Sequence, residues 1–179
     1  MITYLPCGSG KTQNLKIIAQ SLAEKDPTLK IVLALPNNFL LSRMQEQYKA
    51  ANINTKHVSK LFAITAKDSQ KKQRCEEHQF SCGITLSTHE VVATLAYYTP
   101  GFASDLVLLV DEVDMLSPAK DMGFKGAEHL IKAKFFCGCT ATKLTDEDRK
   151  ELQFPPGSVF NELRTPNATI HKELAVIND

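Results

Sequence analysis

The chain has 179 residues, 43% of them hydrophobic, and a formal net charge of +1, which suits one domain with an ordinary core and excludes a strongly basic nucleic-acid-binding tail. A local basic surface stays open, because a summed charge hides its distribution. The longest apolar runs, "IVLALP" and "LVLLV", are too short to span a membrane. No secretory signal is visible in residues 1–20, and five cysteines in no disulfide-like arrangement point to a reducing, cytoplasmic setting.

In chain order, "ITYL" (2–5) reads as a first strand and runs directly into "LPCGSGKT" (5–12). The stretch 11–25 then places Leu15, Ile18, Ala19 and Leu22 on one helical stripe. "KIVLAL" (30–35) is a strand, and residues 37–51 are a helix. Residues 64–82 are polar and charged and read as a surface excursion. "GITLS" (83–87) and "DLVLLV" (105–110) are strands with a helix over 88–98 between them. A short helix over 128–133, a strand "KFFCGC" (134–139) and a helix over 145–152, opened by Thr145 and two acids, follow. From 154–160 onward the chain turns irregular, and 170–178 reads as a last strand or the start of a connector. Strands alternating with helices, and apolar along nearly their whole length, predict an α/β fold with a mainly parallel sheet covered by helices on both faces.

A strand, a Gly-rich turn and a helix are the context in which Gly10-Lys11-Thr12 gains meaning. Gly8 and Gly10 let the backbone of the Gly8-Ser9-Gly10 turn curl so that its N–H groups face a phosphate, and the following helix adds its positive end. Lys11 supplies a charge to the β- and γ-phosphates, and the Thr12 hydroxyl is placed for Mg²⁺. These are the parts of a P-loop NTPase, with one departure: Leu5 stands where the pattern has Gly. About one hundred residues on, "LVLLVDEVD" (106–114) ends an apolar strand in acids. Asp111 there can hold Mg²⁺ through water, and Glu112, expected on the opposite side of an extended chain, can orient or deprotonate an attacking water. Asp114 can couple this site to the next segment. In "FFCGCTAT" (135–142), Thr140 and Thr142 can hydrogen-bond the acidic strand end and relay the state of the γ-phosphate.

Taken in order, "PCGSGKT", "DEVD" and "TAT" resemble the first RecA-like domain of superfamily 2 helicases and related DEAD-like motors, over about residues 2 to 145. The resemblance implies ATP with Mg²⁺, Lys11 and Thr12 on the triphosphate and metal, Asp111 on the metal, and Glu112 as base. "ALPNN" (34–38) and "STHEVV" (87–92) look like the family's nucleic-acid loops, which implies Pro36, Asn37, Asn38, Thr88 and His89 near a single-stranded DNA or RNA backbone. Nothing apart from the resemblance favours ATP over another triphosphate. The acidic string is also similar to that of SecA-type protein-translocation motors, so a motor acting on polypeptide and a non-enzymatic nucleotide-binding regulator stand as alternatives. Residues 1–150 are expected to form the RecA-like ATP-binding domain and 151–179 a C-terminal edge or connector. Only Met1–Tyr4 precede the loop, and Arg43, Arg74, Arg149 and Arg164 lie in no finger-arginine string. The chain is therefore expected to be an excised domain, a fragment or a subunit, slow in hydrolysis until a second RecA-like domain or partner subunit supplies an arginine. Cys75, His78 and Cys82 offer three soft ligands, one short of a structural zinc site, within a stretch that reads more simply as a solvated loop.

Overall fold

The computed structural model of the chain describes residues 1–53, 55–57, 68–120 and 123–162. The elements are β1 (Ile2–Tyr4), α1 (Lys11–Lys25), β2 (Lys30–Leu35), α2 (Asn38–Ala50), β3 (Thr55–His57), α3 (Asp68–Glu77), β4 (Gly83–Thr88), α4 (His89–Tyr98), β5 (Leu106–Asp111), β6 (Phe135–Thr140), α5 (Asp146–Glu151) and β7 (Phe160–Glu162). Short 3₁₀ turns at Phe102–Asp105, Val113–Leu116 and Ala127–Lys132 link the later elements. Among the described residues the strands form one seven-stranded sheet in the order β3-β4-β2-β5-β6-β1-β7. Every neighbouring pair is parallel.

The near-continuous apolar strands of the sequence are explained by two cores, one on each face of the sheet. Successive residues of a strand point to opposite faces, so Ile31, Leu33 and Leu35 of β2 meet Leu15 and Ala19 of α1 and Leu41, Met44 and Tyr48 of α2. Val32 and Ala34 turn the other way, towards Val91, Val92, Leu95 and Ala96 of α4, and Leu108 and Val110 of β5 join them. Gly138 in β6 marks a close approach. A Cβ there would lie 2.9 Å from Ile2 Cδ1 and 3.0 Å from Val113 Cβ, so its absence lets β1 and the turn after β5 close onto the strand.

Several expectations need revision. The stretch 128–133 is a 3₁₀ turn over Ala127–Lys132, entered through Gly126 at φ 88°, and no α-helix forms there. The described part of 64–82 is no plain surface excursion: α3 covers Asp68–Glu77, and Cys75 and Phe80 are buried in the core beside α4. Residues 64–67 and the stretch 170–178 lie outside the described residues. Within 151–179 the chain first completes α5, then adds β7 to the sheet edge, with Ile2 opposite Phe160 and Tyr4 opposite Glu162. β3 and β7 escaped the sequence reading because each is a three-residue edge strand with little apolar content. Among the described residues no helix is long and apolar enough to cross a membrane.

Candidate nucleotide-binding site

β1 ends at Tyr4, but Leu5 N still donates to Thr140 O at 2.9 Å and continues the pairing with β6. Leu5 is also buried in the core. Its position thus belongs to the strand, where an apolar residue is at home, and the residues that turn the loop lie further on. Gly8 at φ 75° and Gly10 at φ 82° hold left-handed backbone that favours glycine, while a Cβ at either would meet nothing within 4 Å. Conformation, not crowding, demands glycine there. Ser9 N bonds Pro6 O at 3.2 Å to close the turn, and Ser9 Oγ is buried without a protein partner. α1 then starts with no acidic residue in its first turn, so its N-terminal N–H groups keep their full pull on an anion.

The acids of β5 meet consecutive residues of this loop. Thr12 Oγ1 donates to Asp111 Oδ2 at 2.5 Å, and Lys11 Nζ lies 3.2 Å from Glu112 Oε1. Glu112 lies one residue past the strand and adopts φ 49°, ψ 57°. Its carboxylate meets Lys11 and Thr140, whereas that of Asp111 meets Thr12 and Cys139. The other Asp111 oxygen, Oδ1, accepts from Glu112 N at 3.1 Å and from the Cys139 thiol at 3.5 Å. Burial pushes the Asp111 carboxyl above its ordinary pKa, and the bonds from Thr12 and Cys139 and the Lys11 charge work against that rise. Cys139, opposite Asp111 in the β5–β6 register, keeps its proton because burial pushes its thiol well above the usual range.

Thr140 joins the acids to the end of β6. Its Oγ1 lies 2.6 Å from Asp114 Oδ1 and 3.2 Å from Glu112 Oε2, and accepts from Thr142 N at 3.1 Å. Thr142 thus reaches the network through its backbone, and its side chain is exposed. On the neighbouring strand ends, Asn37 Oδ1 caps α2 by accepting from Leu40 N at 3.0 Å, and Thr88 Oγ1 caps α4 by accepting from Val91 N at 3.4 Å. Asn37 and Asn38 are exposed and Pro36 half-buried, whereas Thr88 is buried. His89, expected beside a nucleic-acid backbone, is only 1% exposed. Its Nε2 lies 2.7 Å from the Asp111 carbonyl oxygen, and burial pushes its pKa down to about 4, so the ring is neutral and Nε2–H donates.

The bonds from Cys139 and His89 to Asp111 were missed by the sequence reading. The only signal for the first was the place of Cys139, one residue before Thr140 on a strand that pairs with β5. The cysteine–histidine stretch has separated: Cys75 is buried, Cys82 is exposed, and the His78 ring meets Phe80 edge-on at 4.7 Å. Among the described residues no three His, Cys, Asp or Glu side chains are grouped to hold a metal.

A parallel sheet whose first strand feeds a glycine turn and a helix, with acids from β5 against Lys11 and Thr12, defines a RecA-like, helicase-type ATP-binding domain. The sequence profile of the DEAD/DEAH box helicases matches residues 1–148, and the chain belongs to that family. No curated protein is similar to it in sequence. Among solved structures it is similar to the UvsW helicase of bacteriophage T4, with TM-score 0.56 and 14% identity over 92% of this chain and 54% of that one. It is similar to the Hef helicase domain of Pyrococcus furiosus, with TM-score 0.58 and 15% identity over 95% of this chain and 37% of that one. A third is the Sulfolobus solfataricus SWI2/SNF2 ATPase core in complex with dsDNA, with TM-score 0.52 and 17% identity over 88% of this chain and 31% of that one. The chain therefore spans about half, or less, of the length of these structures.

The residues present fit a nucleotide with Mg²⁺. The donors facing the loop are hard oxygens, the Thr12 hydroxyl and the Asp111 carboxylate, as Mg²⁺ prefers, and the adjacent cation and helix end suit phosphates.

Proposed function

We propose that the chain is the first RecA-like domain of a motor that couples ATP binding to a nucleic-acid strand, with residues 1–150 as its ATP-binding body and 151–179 leading towards a second domain. The observation that carries this reading is the pairing of Lys11 with Glu112 and Thr12 with Asp111, joined through Thr140 to Asp114. Gly8, Ser9, Gly10 and Lys11 cradle the phosphates in this reading, and Thr12 and Asp111 hold Mg²⁺. Bound there, Mg²⁺ would neutralise charge on the β- and γ-phosphate oxygens. Lys11 exchanges Glu112 for a phosphate, which releases Glu112 to orient or deprotonate the attacking water. Glu112 and Asp114 share Thr140 as partner, so a change at Glu112 is felt at Asp114 and, through the Thr142 N–H, in the chain beyond β6.

Pro36, Asn37, Asn38 and Thr88 stand at the carboxyl ends of β2 and β4, on the same edge of the sheet as the phosphate loop, where ligands of open α/β sheets bind. A SWI2/SNF2 core and the helicase MrfA, both of this fold, were solved with DNA, the latter also with AMPPNP, and this supports nucleic acid as the partner. The test is binding of a labelled homopolymeric single strand with and without Mg²⁺ and AMPPNP. The analogue should tighten binding by roughly tenfold, the size of an ordinary coupling between two sites, and Lys11→Ala should erase the gain. Strand binding that is absent at low salt, or indifferent to the analogue, would overturn the reading. Binding of an unfolded polypeptide that AMPPNP strengthens would replace it with a translocation motor.

A further inference from the structure

His89 is a buried ring at the start of α4, on the segment assigned above to nucleic acid, yet its bond is to the strand that carries the Mg²⁺ acid. β4 and β5 are not neighbours in the sheet, since β2 lies between them. β2 leaves the sheet at Leu35, and the next residue, Pro36, has no N–H with which to continue the ladder beside Asp111. The His89 ring fills that gap. It crosses the end of β2, and its Nε2–H reaches the Asp111 carbonyl oxygen at 2.7 Å.

That carbonyl belongs to the Asp111–Glu112 peptide, and its direction decides where both carboxylates go. On one side of the peptide Asp111 must face Thr12. On the other, Glu112 sits at φ 49°, a left-handed conformation that is unfavourable for a non-glycine residue and persists only where its surroundings hold it. Glu112 N–H returns to Asp111 Oδ1 at 3.1 Å, so one end of the peptide unit is held by Asp111 itself and the other by His89.

We propose that His89 is a positioning residue for the nucleotide site: its ring fixes the Asp111–Glu112 peptide, and so sets both carboxylates and links the Thr88–His89 turn to Mg²⁺–nucleotide binding. The link to a strand rests on the function proposed above; the positioning of the acids does not. Because α4 begins at His89, any movement of that helix start moves the donor of the Asp111 carbonyl. A strand gripping the β4–α4 turn then changes nucleotide affinity, and nucleotide changes strand affinity by the same factor.

The test uses His89→Leu, which removes the donor, and His89→Gln, whose amide can stand in for Nε2–H. A fluorescent ADP is titrated with Mg²⁺ and again with EDTA, each with and without a saturating homopolymeric single strand. His89→Leu should lose about tenfold in affinity with Mg²⁺, the value of one buried hydrogen bond to the acid pair, and little with EDTA, where the phosphate loop alone binds. His89→Gln should recover most of the loss. In the wild type the strand should tighten Mg²⁺–ADP or loosen it, and in His89→Leu that effect should vanish while the strand still binds. An unchanged Mg²⁺-dependent affinity in folded His89→Leu overturns the positioning role. A strand that never binds the wild type refutes the nucleic-acid reading and leaves the Mg²⁺ comparison standing. If His89→Leu does not fold, ¹⁵N NMR of the wild-type ring decides: a protonated, slowly exchanging Nε2 supports the proposal, and the opposite tautomer refutes it.

Discussion

Thr140 holds one hydroxyl proton and faces two carboxylates, Asp114 at 2.6 Å and Glu112 at 3.2 Å, while Thr142 N–H occupies its acceptor side. It can donate to only one acid at a time, which makes it the residue where the state of Glu112 is passed on. Thr140→Val keeps the shape and removes the proton. We expect a stability loss of about 1.5–3 kcal/mol in urea unfolding, the value of a hydrogen bond from a buried hydroxyl to a charged group. Mg²⁺–nucleotide affinity should hold, since the contacts of Lys11 and Thr12 are elsewhere, and the effect of nucleotide on strand binding should disappear. An intact coupling in Thr140→Val would exclude the relay. Residues of this kind divide by how far their placement could be read from the chain. The meeting of Lys11 and Thr12 with the acids after β5 was legible because that chemistry demands those types at that spacing. Cys139 was not, because its bond to Asp111 depends on strand register and not on residue type. Nor was the left-handed turn at Glu112, because no residue type in that stretch announces it and the strand ends one residue earlier.

At the scale of elements, α1 was legible because a glycine turn starts it and a regular apolar stripe sustains it, and the central strands because both faces of the sheet are covered. α5 shows another means of support. It has six residues, too few to be stable alone, and is held by a capping box. Thr145 Oγ1 accepts from Asp148 N at 3.1 Å, and Asp148 Oδ2 accepts from Thr145 N at 2.9 Å. The same carboxylate lies 3.4 Å from Lys120 Nζ, which ties α5 to the segment after the acidic turn. Burial pushes Asp148 up, but the bonds from Thr145 and Ser117 and the Lys120 charge outweigh it and leave its pKa below the ordinary carboxylate value. A carboxyl with a lowered folded pKa contributes stability above its unfolded pKa and loses it as pH falls through the folded one. Asp148→Asn should therefore cost about 1–2 kcal/mol at pH 7 in urea unfolding, and the gap to wild type should narrow at an acid pH below the ordinary carboxylate pKa. A gap that is unchanged between these two pH values would assign the cost to packing and not to charge. Thr145 and the acids after it announced this helix in the sequence, whereas Lys120 as its anchor, 28 residues from Asp148, announced nothing.

For the whole molecule, the strand order gathers the loop after β1, the turns after β2 and β4, the acids after β5 and the threonines after β6 at one edge of one sheet. In the function proposed above that edge binds nucleotide, and turning it over needs more. Catalysis of phosphoryl transfer is mostly charge stabilisation, and an arginine finger contributes roughly 10³–10⁵ in rate. Of the described arginines, Arg149 lies over the Phe160 ring at 4.3 Å, Arg74 is on α3, and Arg43 lines a cleft with Thr12 and Gln13 between α1 and α2. With Lys11 and Mg²⁺ as the cations that the proposed function puts at the phosphates among the described residues, the chain should turn over ATP on the order of 10⁻⁴–10⁻³ per second, the range of P-loop enzymes that lack a finger. The measurement is phosphate release by the 179-residue chain with Mg²⁺–ATP and a saturating single strand, beside Lys11→Ala as blank. A rate above about 1 per second that vanishes in Lys11→Ala would mean that the chain supplies its own finger. Arg43, which lines a cleft with Thr12, would then be the residue to replace: Arg43→Lys keeps the charge but not the planar fork, and a drop on that change alone would identify it.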